Sequence, residues 1–241
     1  MPVFRLDREI SFPPPHLASP GGLLAVGGDL SVQRILAAYS QGIFPWFSQG
    51  DPTLWWSPHP RMVLFPRELH VSRRMSRVLR KAPFELTMDQ AFERVIAGCA
   101  QPRLDGFGTW ITPKVQQAFV RLHQEGYAHS MEVWQGKKLV AGIYGLSLGS
   151  CFFGESMFSD YAYASRFGFI HLVRWLEIMG FRMIDCQVKT SHLQSFGART
   201  IARQEFLFRL ERCVRERCLR GNWGRLFSDH PPAKYRKRNL R

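Results

Sequence analysis

The chain has 241 residues, 45% of them hydrophobic and 22% charged, the balance of a globular protein with a core, which excludes a disordered or fibrous chain. Its 33 lysines and arginines against 19 acidic residues give a formal charge of +14, so a polyanionic partner is expected, nucleic acid or an anionic membrane. The opening residues carry scattered charges and no apolar run of the length that a signal peptide or spanning helix needs, so a cytoplasmic protein is expected. Cys99, Cys151, Cys186, Cys213 and Cys218 are odd in number and form no Cys-x-x-Cys pair, which predicts reduced thiols rather than a disulfide framework or a thiolate zinc site.

Residues 1–60 carry a net charge of −1 and the remainder +15, with a composition break near Pro60. The first part is punctuated by Phe12-Pro-Pro-Pro15, Pro20-Gly-Gly22 and Gly27-Gly28, and a short helix is predicted from Ser31, its N-cap, to Tyr39, with Gly42 just past its end. Gly42-Ile-Phe-Pro-Trp-Phe47 and Leu54-Trp-Trp-Ser-Pro58 read as proline-broken and irregular. Arg67 to Lys81 holds six basic residues and one acid, a basic helical face.

Thr112 as N-cap, Pro113, the apolar Val115, Ala118, Phe119 and Leu122, and Gly126 as stop predict a helix. Tyr127–Trp134 and Lys138–Tyr144 flank Gln135-Gly136-Lys137 as a hairpin. Ser150–Phe153 is a third strand that ends before Glu155. A helix from about Ala164 to Met179, a strand Arg182–Gln187, a short helix Thr190–Gly197 and a longer one Arg203–Leu219 complete a mixed α/β layer. Residues 212–241 form a basic tail of net charge +8.

The eight histidines are isolated and no His-Glu-x-x-His is present, so no metal is expected. Neither a Gly-x-x-x-x-Gly-Lys-Ser/Thr loop nor a Gly-x-Gly-x-x-Gly after a strand occurs, so no nucleotide cofactor is expected and any reaction must use a substrate that arrives activated. Strand alternation puts Asp185 and Gln187 on one face; Asp185 either caps a loop or takes part in chemistry, and Glu155 either satisfies local backbone or meets a cation. Trp46 and Trp110 are either core residues or platforms on which a base stacks, an interaction of roughly 1–3 kcal/mol per base.

Gly27-Gly-Asp-Leu30, Gly42-Ile-Phe-Pro-Trp-Phe47, Trp55-Trp-Ser-Pro58, Gly108-Thr-Trp-Ile-Thr112, His129-Ser-Met-Glu-Val-Trp134, Gly154-Glu-Ser-Met-Phe158, Asp185-Cys-Gln187 and Ser195-Phe-Gly-Ala198 run in order over nearly the whole chain. In these motifs it resembles the leucyl/phenylalanyl-tRNA–protein transferase family of bacteria. It departs from the family's usual pattern at Leu104-Asp-Gly-Phe107, at Ala162-Tyr-Ala-Ser-Arg166 and at Phe196, and the tail from Lys234 lies outside the resemblance.

The resemblance implies a small N-terminal α/β domain, residues 1–60, and a GNAT-like acyltransferase domain, residues 61–241. It implies transfer of Leu or Phe, less readily Met, from aminoacyl-tRNA to the N-terminal Arg or Lys of an acceptor protein, marking it for degradation by the N-degron route. Gln187 would contact the attacking amine and Asp185 would polarise and orient Gln187. Glu155 would receive the acceptor cation, Ile143, Phe152 and Ile184 would line the aminoacyl pocket, and Trp46 and Trp110 would hold the terminal adenosine. The expected partners are aminoacyl-tRNA and proteins with N-terminal Arg or Lys, with no cofactor, no membrane and a monomeric state. The rival readings are an acetyl-CoA-dependent acetyltransferase, for which Gln194-Ser-Phe-Gly-Ala-Arg199 is a partial pyrophosphate loop, and a non-catalytic tRNA-binding protein.

Overall fold

Two β-sheets follow one another along the chain, in a computed structural model that describes residues 3–102 and 109–232. Leu104–Phe107 and the tail from Lys234 therefore lie outside the described residues. The first sheet holds β1 (Phe4–Leu6), β2 (Leu23–Gly27), β3 (Phe44–Pro45) and β4 (Leu54–Trp56) in the order β1-β2-β4-β3, with α1 (Val32–Ser40) between β2 and β3. Ser31 caps α1 as expected, its hydroxyl accepting the Arg34 N–H at 3.4 Å. Gly42, at φ 72°, turns the chain where a Cβ would lie 2.7 Å from Phe206 and 2.8 Å from Leu207, so only glycine fits.

The aromatic stretches that read as irregular contain β3 and β4. Strands of two and three residues are too short to display a period, and their fold comes from burial: Trp55 is wholly buried and its indole N–H donates to Gly27 O at 2.9 Å.

The second sheet holds β5 (Arg61–Leu64), β6 (Glu85–Met88), β7 (Ala128–Gln135), β8 (Lys138–Leu148), β9 (Cys151–Ser159), β10 (Met183–Gln187) and β11 (Arg199–Ile201), ordered β11-β5-β10-β9-β8-β7-β6. Neighbours run antiparallel except β9 and β10, which are parallel. Around it lie α2 (Arg73–Lys81), α3 (Phe92–Cys99), α4 (Pro113–Gln124), α5 (Ala164–Ile178), α6 (Ser191–Gln194), α7 (Arg203–Val214) and α8 (Gly224–Asp229). Apolar residues of α1, α3, α4 and α7 form one core that is continuous with the small sheet, and those of α2, α5 and α8 form the other.

The β7–β8 hairpin turns at Gly136, φ 57°, as its sequence predicts. Other expectations are corrected. The strand expected to stop at Phe153 continues to Ser159, so Glu155 lies within β9 rather than after it. Gly154 pairs with Gly145 across β8 and does not break the strand; a Cβ on Gly145 would sit 2.3 Å from Phe153 O, so glycine there permits the close approach. The basic helix begins at Arg73, after a 3-10 turn at Pro66–Glu68, and buries Met75 and Leu79 while its arginines stay exposed.

The short helix expected over 190–197 is confined to Ser191–Gln194. The helix expected to reach Leu219 ends at Val214, because Cys213 O there receives the N–H groups of Ser150, from the β8–β9 turn, and of Glu216, both at 3.1 Å.

Candidate functional site

The parallel pairing of β9 and β10 runs from Met183↔Cys151 to Asp185↔Phe153 and stops there, so the strands part at their carboxyl ends, where parallel sheets commonly open a crevice. On the other side of β10, Asp185 opposes Val63 and Gln187 opposes Met62, consecutive residues of β5, with Cys186 bulged between them. The bulge and the left-handed backbone of Gln187, φ 60°, interrupt the regular alternation. Asp185 is wholly buried, while Gln187 is half-buried and reaches the crevice.

Asp185 meets Gln187 at its backbone N–H. Its Oδ1 accepts the Gln187 backbone N–H at 2.9 Å and Arg61 Nε at 2.8 Å, and its Oδ2 accepts Arg61 Nη2 at 2.6 Å. The side chain of Gln187 is held by Glu155 instead: Gln187 Nε2 donates to Glu155 Oε1 at 3.0 Å, which leaves the amide oxygen free to accept. Tyr39, from α1, donates its hydroxyl to the same Oε1 at 2.9 Å, so the first sheet's helix reaches into the second sheet's crevice.

Oε2 of Glu155 is buried with no hydrogen-bond partner. Burial pushes the Glu155 carboxyl up to about 8 against the bonds from Tyr39 and Gln187, which pull it down. Tyr39 is held protonated by burial and then by the Glu155 charge, so it acts as a donor.

Two cavities meet at this pair. The larger, about 320 Å³, is mostly apolar and is lined by Ile143, Phe152 and Ile184 together with Met157, Phe169 and Leu172. The smaller, about 170 Å³, is bounded by Phe44, Pro45, Trp46 and Trp110. Glu155, Gln187 and Val188 border both. Trp46 is 44% exposed and meets Trp56 edge-on at 5.7 Å, so it is not a core residue. Of the residues singled out from sequence, only Asp185 lines neither cavity.

Sequence reasoning missed Tyr39 and Arg61, which lie 116 and 124 residues from their partners, a separation at which no local pattern operates. Phe169 and Leu172 carry a signal in their i, i+3 spacing on α5.

The His129–Trp134 motif lies away from the cavities and is structural. His129 Nδ1 meets Asp89 Oδ2 at 2.9 Å and its ring stacks on Trp223 at 3.5 Å, while the buried Glu132 accepts from Ser130 and Thr87. Among the described residues no His, Cys, Asp and Glu side chains gather as a set of three metal ligands, and no helix is long and apolar enough to cross a membrane.

A family model described as leucyl/phenylalanyl-tRNA protein transferase matches residues 63–211, and one described as the N-terminal domain of that transferase matches residues 28–59. Proteins named leucyl/phenylalanyl-tRNA–protein transferase are similar over nearly the whole chain. One from Anaeromyxobacter dehalogenans (strain 2CP-C) is 53% identical over 97% of this chain and 100% of its own length. One from Nitrosospira multiformis is 57% identical over 87% and 91%. A solved structure, L-PGS from Bacillus licheniformis, aligns with 70% of this chain and 54% of its own at a TM-score of 0.38 and 10% identity, too weak a likeness to define a fold.

Proposed function

Because this chain belongs to the leucyl/phenylalanyl-tRNA–protein transferase family, we propose that the paired cavities are where it moves an amino acid from tRNA to the amino terminus of a protein. It is an aminoacyltransferase acting on aminoacyl-tRNA and protein. The observation that carries the site assignment is that an apolar cavity and an aromatic one share Glu155 and Gln187 as their common border.

In this reading the ester carbonyl lies at that border. The side chain of Leu, Phe or Met enters the larger cavity, where burial stabilises it by about 1.5–3 kcal/mol. The terminal adenosine stacks against Trp46 and Trp110. An acceptor's α-amine, with an ordinary pKa of roughly 7.7–8.0, has a neutral fraction at pH 7, and the free Gln187 amide oxygen accepts one of its N–H bonds and aims its lone pair. The nitrogen attacks the carbonyl carbon, the ester C–O bond breaks, and the proton that nitrogen loses balances the ribose hydroxyl that leaves. As the positive side chain of an N-terminal Arg or Lys arrives at the partnerless Glu155 Oε2, the carboxyl, protonated at pH 7 in the empty site, releases its proton to solvent and pairs with the cation.

We read residues 1–60 as a small α/β domain and 61–241 as a GNAT-like catalytic domain, a division supported by the change of sheet between Trp56 and Arg61. A monomer in the cytoplasm, with the product marked for degradation, completes the reading. Purified protein given labelled Leu-tRNA or Phe-tRNA and a peptide beginning with Arg, without ATP, CoA or metal, is expected to yield labelled peptide, and failure to do so refutes this reading.

Docking of tRNA has its own support. Arg73, Arg77, Arg80 and Lys81 project from α2, and Lys114 and Arg121 of α4 line a cleft of about 410 Å³ beside Gly28–Ser31. Neither Lys114 nor Arg121 has a carboxylate partner among the described residues. Neutralising four or five phosphates should make affinity for aminoacyl-tRNA fall about 100-fold between roughly 50 and 200 mM salt. A flat salt dependence in a filter-binding titration rules out docking of this kind.

A further inference from the structure

We propose that Arg61 is a positioning residue of the transfer reaction, holding Asp185 and through it the backbone that presents Gln187 to the crevice. The inference rests on the role given to Gln187 above. Arg61 is 1% exposed and lies in β5, beside β10. Its Nε and Nη2 grip the two oxygens of Asp185 in a fork, a geometry that lysine cannot reproduce. Its guanidinium lies over the rings of Phe44 at 4.8 Å and Phe206 at 4.6 Å, so the fork is clamped between the small sheet and α7.

The Asp185 oxygen that Arg61 Nε grips is the one that accepts the Gln187 N–H. Gln187 is the only residue of β10 in the left-handed region, where a side chain other than glycine's is strained. From that backbone the Gln187 side chain reaches the crevice and donates to Glu155. A fully buried ion pair adds little stability over apolar residues of the same volume, so what the arrangement supplies is a defined geometry one bond from the reacting amide.

A mutant cycle on the full chain tests this. Arg61→Lys keeps the positive charge and loses the fork; its single-turnover rate at saturating Phe-tRNA is expected to fall about tenfold, with the KM for an Arg-initiated peptide within about twofold of the parent. In a Gln187→Ala background the same substitution is expected to change the rate by less than about twofold, because its effect passes through Gln187. Phe206→Leu, on α7 and lining neither cavity, loosens the clamp without touching the ion pair, and is expected to show the same pattern at a few-fold loss; it carries the test if Arg61→Lys does not fold. An unchanged rate in the clamp variants, or an equal loss in both backgrounds, overturns the inference while leaving the site reading intact. Full activity in Gln187→Ala alone overturns both.

Discussion

Asp185→Ala is expected to destabilise the protein by about 3–5 kcal/mol, whereas Gln187→Ala, two residues away, should change stability by only about 1 kcal/mol and slow transfer about 100-fold. The first substitution strands the buried Arg61 guanidinium without its counter-charge and frees the Gln187 N–H. The second removes one bond to Glu155 and the amide oxygen that faces the cavities, and leaves the ion pair in place. Urea unfolding of the two variants beside single-turnover rates separates the effects. A stable Asp185→Ala protein with transfer as slow as in Gln187→Ala would mean that Asp185 reaches the substrate, contrary to its burial.

Glu155→Gln is expected to stabilise the free protein in alkaline solution while weakening transfer to acceptors beginning with Arg or Lys. The folded carboxyl is raised by burial from 4.5 to about 8, so the stability it allows is complete below 4.5 and is lost as pH rises through 8. Glutamine does not titrate. The variant and parent should therefore have similar stabilities near pH 5, diverge through the window from 4.5 to 8, and differ by about 2–4 kcal/mol at pH 9 in favour of the variant, at ~1.4 kcal/mol per pH unit with allowance for relaxation. Parallel unfolding midpoints from pH 5 to 9 would show that Glu155 is not a buried, uncompensated carboxylate. An arriving cationic side chain offsets that cost, which makes the instability of the empty site and its selectivity two consequences of one charge.

Much of the chain can be read locally. The caps at Ser31 and Thr112, the turn at Gly136 and the apolar period of α5 act over a few residues, where backbone geometry and side-chain spacing suffice. The same holds for part of the site: Trp46, Trp110, Glu155 and Gln187 stand out in short motifs, whereas Ile143, Phe152 and Ile184 are indicated only by the family resemblance. Composition and charge already define a basic globular protein suited to a polyanion, and the ordered motifs carry the family.

Strand alternation describes a regular strand, and β10 is interrupted by a bulge at Cys186, next to the residue that Arg61 grips from β5. The extension of β9 through Glu155 depends on a glycine facing a glycine across strands, and the end of α7 depends on a carbonyl bonded by the β8–β9 turn. Tyr39 and Arg61 reach the site from more than a hundred residues away, through packing that no local window contains. Residue types with the right chemistry are visible in the linear chain because side-chain identity is local. Which oxygen is shared, which is left without a partner and which carboxylate is sealed from the substrate follow from long-range pairing, and only the folded chain decides them.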